Sequence, residues 1–256
     1  MDLRKVTKRE ERLGATKVNN FGSVMIVSEY NTALDIMVYF PKYDSYTHTN
    51  WQKFEQGAVH CAYEPRFYGV AYIGEGKYKT SINRKRTKAY DTWRAMIERC
   101  YSDLYKHKNP TYKGCKVCDE WLCFQNFAEW FYENYYEVGQ EQMNLDKDIL
   151  VKGNKIYSPS TCIFVPKKIN LLFIKRDSCR GDLPVGVVLE KEAVTNPYRA
   201  TVTGNIIGWF KTPHEAFLAY KINKELLIQS IAKEYRDKIP NKLYEAMINY
   251  KVEEND

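Results

Sequence analysis

The sequence lacks the long apolar runs that membrane proteins need. No stretch of its 256 residues approaches the ~18 consecutive apolar residues that cross a bilayer as a helix. The chain begins MDLRKVTKREERLG, which is charged and lacks the apolar region of a signal peptide. We therefore expect a cytoplasmic protein without a membrane partner.

Cysteine and histidine are scarce, which narrows the kinds of site that can be built. The seven cysteines are an odd set without the regular spacing of a disulfide framework, so we expect reduced thiols. Cys115 and Cys118 have the spacing of half a zinc site, but no second CxxC pair exists, and we expect no structural zinc. Only four histidines are available for acid–base chemistry near neutral pH.

Positive charge is concentrated in the middle of the chain. Residues 1–66 carry 9 basic and 8 acidic side chains, residues 67–182 carry 20 and 14, and residues 183–256 carry 10 of each. Nearly all of the net charge of +7 therefore lies in the middle part. A localised positive field favours a polyanion as partner, although surfaces with no such role also carry a modest excess.

The densest basic run is NRKRTK at residues 83–88. A run of this kind can neutralise several phosphates, and the alternative is a solvated loop. We predict that it follows a hairpin in which residues 67–73 pair with residues 77–82. The candidate phosphate contacts are the four basic residues of the run, Arg84, Lys85, Arg86 and Lys88.

The spacing of apolar residues predicts an α+β protein of three domains. Residues 1–66 contain short apolar runs between turn signals, which predict a small β-barrel-like module behind a basic N-terminal lead. Residues 67–182 have apolar positions at helical spacing, which predict helices with buried faces. Residues 183–256 predict three strands, a helix that begins at the capping box of Thr212 and Glu215, and a short C-terminal helix.

The middle part of the chain contains two blocks of sequence with characteristic spacing. The chain reads LDKDI from residue 145, GNKIYSPSTCIFVP from residue 153 and IN from residue 169. Further upstream it reads YDTWRAMIERCY from residue 90 and VCDEWLCFQNF from residue 117. Across about residues 88–175 these blocks resemble the HNH, or ββα-metal, endonucleases of phage genomes. The resemblance implies that a hairpin and a helix hold one divalent cation, Mg²⁺ or another, against a scissile DNA phosphate.

The resemblance also assigns roles to individual residues. Asp146 matches the metal-binding acid and Asn170 the amide ligand on the helix, whereas the middle asparagine of the motif falls at Thr161. The catalytic histidine falls at Lys147, which is protonated at neutral pH and cannot act as a general base, although it could contact phosphate. Asp148 would face the same side of a strand as Asp146 and could be a second ligand or an alternative base. The other interpretation is a structural relic that does not cleave DNA.

The C-terminal part contains a second motif. The chain reads PVGV from residue 184, YRATV from residue 198 and GWFKTPHEAF from residue 208. About residues 183–235 resemble the APETALA2-type DNA-binding domain, which implies a three-stranded sheet that packs on one helix and enters the major groove. The alternative is a sheet whose exposed face is merely soluble, since this part has no net charge. The side chains that we place towards DNA are Arg199, Thr201, Thr203, Trp209 and Lys211.

These motifs support three functional hypotheses. The first is a phage-type, homing-like endonuclease that hydrolyses double-stranded DNA with a divalent metal, with Lys147 and Asp148 as catalytic candidates. The second is a catalytically inactive DNA-binding or regulatory protein on an HNH-like scaffold, motivated by the missing histidine. The third is a phage protein that binds and inhibits a host defence or replication factor through its aromatic-rich N-terminal module. Each would act in the cytoplasm of the host cell.

Overall fold

The computed structural model describes residues 7–174, 181–193 and 195–254. It combines helices with several small sheets, which confirms the α+β class. Its contacts group the chain into two compact units, residues 1–133 and residues 134–256. The first six residues of the basic lead lie outside the described part, and the division into three domains stays a prediction.

The first unit begins with an antiparallel sheet. The lead forms a short helix, after which four strands and a second short helix follow: α1 (Lys8–Arg12), β1 (Thr16–Val18), β2 (Val24–Thr32), β3 (Asp35–Phe40), β4 (Ser45–Thr49) and α2 (Trp51–Glu55). The strands pair in chain order. Burial alternates along β2 and β3 because one face of the sheet covers a core and the other face meets solvent.

The predicted barrel does not form. Among the described residues the sheet is open, with β1 and β4 as its edges. Phe54 of α2, together with Val59 and Cys61, is buried against the face of the sheet that carries Met25 and Val38. These side chains cover the apolar surface that a barrel would cover by closing on itself, so the strands need not curl round.

The rest of the first unit is helical around an aromatic core. Its elements are β5 (Ser81–Ile82), β6 (Lys85–Arg86), α3 (Lys88–Tyr101), α4 (Asp103–Lys108), a 3₁₀ turn (Pro110–Tyr112), β7 (Lys116–Val117), α5 (Asp119–Leu122) and α6 (Phe124–Asn134). The ring centroids of Trp93 and Phe124 lie 5.6 Å apart, and those of Trp121 and Phe127 lie 5.1 Å apart. Trp93 Nε1 donates a hydrogen bond to the Trp121 carbonyl at 2.8 Å, which satisfies the buried indole. The helical stripes predicted from the sequence are therefore core faces.

The predicted hairpin before the basic run is wrong. Phe67 bridges to Ala71 instead of pairing with residues 77–82. Positive φ angles at Tyr68 and Gly69, 52° and 73°, fold this segment back on itself. β5 pairs with β6 instead, so the basic run itself forms the hairpin.

The second unit contains a hairpin with a short helix, and then a sheet with a long helix. Its elements are β8 (Met143–Asp146), β9 (Ile156–Tyr157), β10 (Ile163–Pro166), α7 (Lys167–Asn170), β11 (Val187–Leu189), β12 (Tyr198–Val202), β13 (Asn205–Phe210), α8 (Pro213–Glu234) and α9 (Asn241–Ile248). β8 pairs with β10, and β11, β12 and β13 form an antiparallel sheet in chain order. The three C-terminal strands and the helix after them lie where the sequence predicts them.

The long helix α8 joins two cores. It begins at the predicted capping box, in which the Glu215 N–H donates to Thr212 Oγ1 and the Thr212 N–H donates to the Glu215 carboxylate, both at 3.2 Å. Its first half packs Phe217 and Tyr220 against the sheet, and its second half packs Ile228 against the β8–β10 hairpin and α9. In the described part of the chain, neither α8 nor any other helix combines the length and apolar character needed to cross a bilayer.

Close contact between α8 and the sheet predicts that Gly186 tolerates no side chain. Its φ is 78°, and a Cβ atom there would lie 2.1 Å from the Tyr220 ring. Gly186→Ala should lower the free energy of unfolding by about 2–4 kcal/mol, measured by urea denaturation, through overpacking and left-handed strain. The matched control is Gly204→Ala, which has φ 88° but nothing within 4 Å, and should lose only about 1 kcal/mol. Equal losses would contradict the packing described here.

Candidate functional site

The β8–β10 hairpin and α7 follow one another in the order strand, strand, helix. Asp146 is the last residue of β8 and lies opposite Ile163, the first residue of β10. α7 contacts both strands and buries Ile169, and Asn170 is its last residue. This is the order that the resemblance to ββα-metal endonucleases implies. It brings both predicted metal ligands, Asp146 and Asn170, onto elements that pack together.

The Asp146 carboxylate ends the strand by forming a turn. Its Oδ1 accepts hydrogen bonds from the backbone N–H groups of Asp148, at 2.9 Å, and Ile149, at 2.7 Å. Aspartate side chains commonly cap a turn in this way. Asp148 therefore lies beyond the strand, and the expectation that strand alternation places both carboxylates on one face is wrong.

The two carboxyl groups nevertheless affect one another. Burial, and then the negative charge of Asp148, raise the pKa of Asp146 to about 6, while the two backbone N–H donors oppose the shift. Asp146 is therefore mostly ionised at pH 7 but is held in surroundings that disfavour its charge. A cation beside Asp146 would relieve this repulsion.

Lys147 points into the protein. Only 8% of the residue is exposed, and its Nζ lies 3.1 Å from Asp148 Oδ2 and 5.8 Å from the centroid of the Tyr157 ring. A buried ammonium needs a partner of this kind because burying a charge without one is strongly unfavourable. The charges of Lys147 and Asp148 therefore offset one another. Both residues that the sequence offers as catalytic candidates are engaged in this one ion pair.

The long connection between β8 and β10, residues 147–162, is organised by a residue that the motif does not mark as functional. Asn154 Nδ2 donates to the carbonyls of Lys147 and Ile156, each at 2.7 Å. Thr161 Oγ1 donates to the same Ile156 carbonyl at 2.8 Å. Asn154 and Thr161 therefore hold the loop behind Asp146. The signal that could have identified Asn154 is the Gly-Asn pair, which is typical of turns.

The donor set around Asp146 suits a hard cation only in part. A carboxylate and an amide oxygen are ligands that Mg²⁺ accepts, and Mg²⁺ commonly keeps several waters in addition. One oxygen of Asp146 is already bonded to two backbone N–H groups. Within the described ranges, no cluster of three or more His, Cys, Asp or Glu residues is placed to hold a metal ion. Asp146 and Asn170 would therefore need the DNA phosphate and water to complete a site.

The β5–β6 hairpin presents the basic run to solvent. Residues 76–90 contain six basic and no acidic side chains. Arg84 and Lys85 are exposed, and in the described part of the chain neither has an ion-pair partner. Arg86 differs, since its Nε lies 3.1 Å from Asp91 Oδ1, and Lys88 is the first residue of α3. Arg84 and Lys85 therefore carry most of the uncompensated charge of the hairpin.

The outer face of the C-terminal sheet is less basic than the sequence suggests. Val188, Arg199 and Trp209 lie side by side across its three strands. Arg199 Nε lies 2.6 Å from Glu190 Oε1, which offsets its charge, while Trp209 is 49% exposed.

The other residues predicted to contact DNA lie in three different parts of this sheet. Thr201 pairs with Ile206, and Lys211 is exposed just beyond β13. Thr203 occupies the β12–β13 turn, where its hydroxyl donates to the Val202 carbonyl at 2.8 Å. The sheet therefore offers one aromatic ring and a few polar groups among exposed apolar side chains.

The first unit also contains an open pocket that the sequence does not predict. It has a volume of about 510 Å³, and its lining includes Tyr46, His60, Arg66 and Glu75. Burial, followed by the charge of Arg66, lowers the pKa of His60, and His60 Nδ1 is buried without a hydrogen-bond partner among the described residues. These residues come from separate segments with no common motif, so no sequence pattern marks them.

Comparison with known proteins adds no relative. No protein-family model matches the chain, and neither a curated protein nor a solved structure was found to match it. The likeness to HNH endonucleases and to APETALA2-type domains therefore rests on the motifs themselves.

The raised pKa of Asp146 predicts a pH-dependent effect of its charge on stability. Because the folded pKa of about 6 lies above the ordinary aspartate pKa of 3.8, ionisation of Asp146 is less favourable in the folded state than in the unfolded state. The resulting loss of folding stability is absent below pH ~3.8 and complete above pH ~6. Asp146→Asn keeps the Oδ1 acceptor but removes the charge. It should match the wild type near pH 4 and be more stable by about 1–3 kcal/mol at pH 7, measured by urea unfolding.

Asp146→Ala is the control, since it removes both the charge and the turn acceptor. It should be less stable than Asp146→Asn at every pH by about 1–3 kcal/mol, because the two backbone N–H groups lose their partner. A difference between wild type and Asp146→Asn that does not change between pH 4 and pH 7 would contradict the assigned pKa shift.

Proposed function

We propose that this protein binds double-stranded DNA. The observation that carries the proposal is the β5–β6 hairpin, which is attached to the start of α3 and exposes Arg84 and Lys85 without an ion-pair partner among the described residues. Basic side chains that replace the counterions of DNA phosphates supply most of the affinity of non-specific DNA binding. The hairpin is therefore suited to bind a regular array of phosphates.

The C-terminal sheet supports the proposal as a second candidate surface. Arg199, Thr201 and Trp209 lie on its outer face, where an aromatic ring and hydrogen-bonding side chains can contact bases or sugars. The Arg199–Glu190 ion pair shows why this surface is weaker electrostatically than the hairpin. We assign the hairpin to affinity and the sheet to recognition.

A second candidate function is metal-dependent hydrolysis of DNA at Asp146. It is favoured by the strand, strand, helix order and by the placement of Asp146 and Asn170 on packed elements. A divalent cation bound there would supply charge stabilisation at the scissile phosphate. The residues of the chain would hold and orient that cation, but Lys147 is buried in an ion pair and cannot remove a proton from water. Binding without cleavage is therefore the simpler function of this arrangement.

DNA binding through the hairpin predicts a specific change in salt dependence. The double variant Lys79→Ala/Lys85→Ala removes two exposed lysines, one just before β5 and one in β6. It should bind duplex DNA of any sequence more weakly than the wild type. Because two phosphate contacts are lost, the slope of log affinity against log salt should be smaller by about 2. Fluorescence anisotropy with labelled duplexes at several salt concentrations would measure both effects.

The matched control is Lys53→Ala, which removes an exposed lysine from α2. It should leave the affinity and the salt slope unchanged. A wild type that binds no duplex at low salt, or a double variant with the wild-type slope, would refute binding through the hairpin.

The hydrolytic candidate makes a separate prediction. With Mg²⁺ or Mn²⁺, the wild-type protein should nick supercoiled plasmid slowly, and Asp146→Ala should abolish the nicking. Lys147→His should accelerate it by about 10²–10⁴-fold if only the base is missing. Intact plasmid with the wild type and with Lys147→His, under conditions where both bind DNA, would leave DNA binding as the function.

A further inference from the structure

The turn of the β5–β6 hairpin holds an arginine in an unusual conformation. Asn83 and Arg84 occupy its two central positions with φ angles of 50° and 63°. Two-residue hairpin turns with positive φ at both positions favour asparagine followed by glycine. Asn83 fits this preference, but Arg84 takes the place of the glycine, where a side chain is strained.

Another two-residue turn of the chain has glycine at the position that Arg84 occupies here. The β12–β13 hairpin turns through Thr203 and Gly204, with φ angles of 49° and 88°. Glycine, the preferred residue, therefore occupies the second central position of that turn. Arg84 therefore carries backbone strain that glycine would avoid, and strained residues cluster at sites that act on a ligand.

The base of the hairpin is firmly attached. The Thr87 N–H donates to the Thr80 carbonyl at 3.0 Å, and Thr87 Oγ1 donates to the Lys79 carbonyl at 3.2 Å. Thr87 is also the N-cap of the 14-residue helix α3, and Arg86 pairs with Asp91 in the first turn of that helix. The turn therefore projects from a fixed base.

We infer that Arg84, with Asn83, enters the minor groove of A·T-rich duplex DNA while Lys79 and Lys85 contact the phosphates on either side. The inference rests on the proposed DNA binding and names the groove. Two residues per strand give a ribbon only about 7 Å long, and α3 follows immediately at its base. A ribbon of this length cannot run along the major groove as a longer two-stranded ribbon can, so only its tip can enter a groove.

The minor groove suits a tip of this size. It is about 6 Å wide, which admits single side chains but not a two-stranded ribbon. Its potential is most negative where A·T tracts narrow it, and arginine is the side chain most often inserted there. Arg84 has no ion-pair partner in the described part of the chain, so its charge is available for this purpose.

The test is Arg84→Gly, which removes the side chain and places the preferred residue in the turn. The melting temperature should rise by about 2–4 °C because the left-handed strain is relieved. Affinity for an A·T-rich duplex should fall by about 10–100-fold, and affinity for a G·C-rich duplex should fall by less than about 3-fold. Netropsin, which occupies the minor groove, should compete with the wild type and much less with Arg84→Gly.

The outcomes separate the groove from DNA binding itself. Equal affinity of wild type and Arg84→Gly for the A·T-rich duplex, with weaker binding by Lys79→Ala/Lys85→Ala, would overturn the role of Arg84 and leave DNA binding intact. Insensitivity of the wild type to netropsin would likewise overturn minor-groove entry. No binding of the wild type to either duplex would overturn the proposed function and this inference together.

Discussion

Burial of two different stretches of α8 is the constraint on which the second unit depends. Phe217 and Tyr220 cover the C-terminal sheet, and about three turns later Ile228 and Ile231 cover the β8–β10 hairpin. Neither small sheet buries enough apolar surface by itself to offset the entropy of ordering its strands. The C-terminal sheet and the β8–β10 hairpin are therefore joined through α8 into one compact body.

Charge neutralisation inside that body determines the chemistry at Asp146. Lys147 is buried, so it needs Asp148 as its partner, and Asp148 in turn disfavours ionisation of Asp146. The three residues satisfy one another and the backbone around them. An arrangement of this kind stabilises the loop, and it holds the Lys147 ammonium in an ion pair, where it cannot accept a proton from water.

The first unit has the opposite electrostatic character. Its aromatic core around Trp93 and Phe124 anchors α3, and α3 in turn fixes a hairpin in which Arg84 and Lys85 lack ion-pair partners among the described residues. A rigid support allows a strained residue such as Arg84 to persist, since the turn cannot relax without breaking the contacts of Thr87. Arg84 and Lys85 are thus exposed without an ion-pair partner in the described part of the chain, whereas Lys147 is offset by Asp148.

The sequence alone determined the elements whose signals are local. The stripes of α3 and α6, the Thr212 capping box and the three C-terminal strands follow from the spacing of neighbouring residues, which sets side-chain direction whatever else the chain does. Only the tertiary structure decided that the N-terminal sheet stays open, that the basic run forms the hairpin and that Lys147 is buried. Each of these depends on which distant segment covers a face or a charge, and residue spacing carries no information about that.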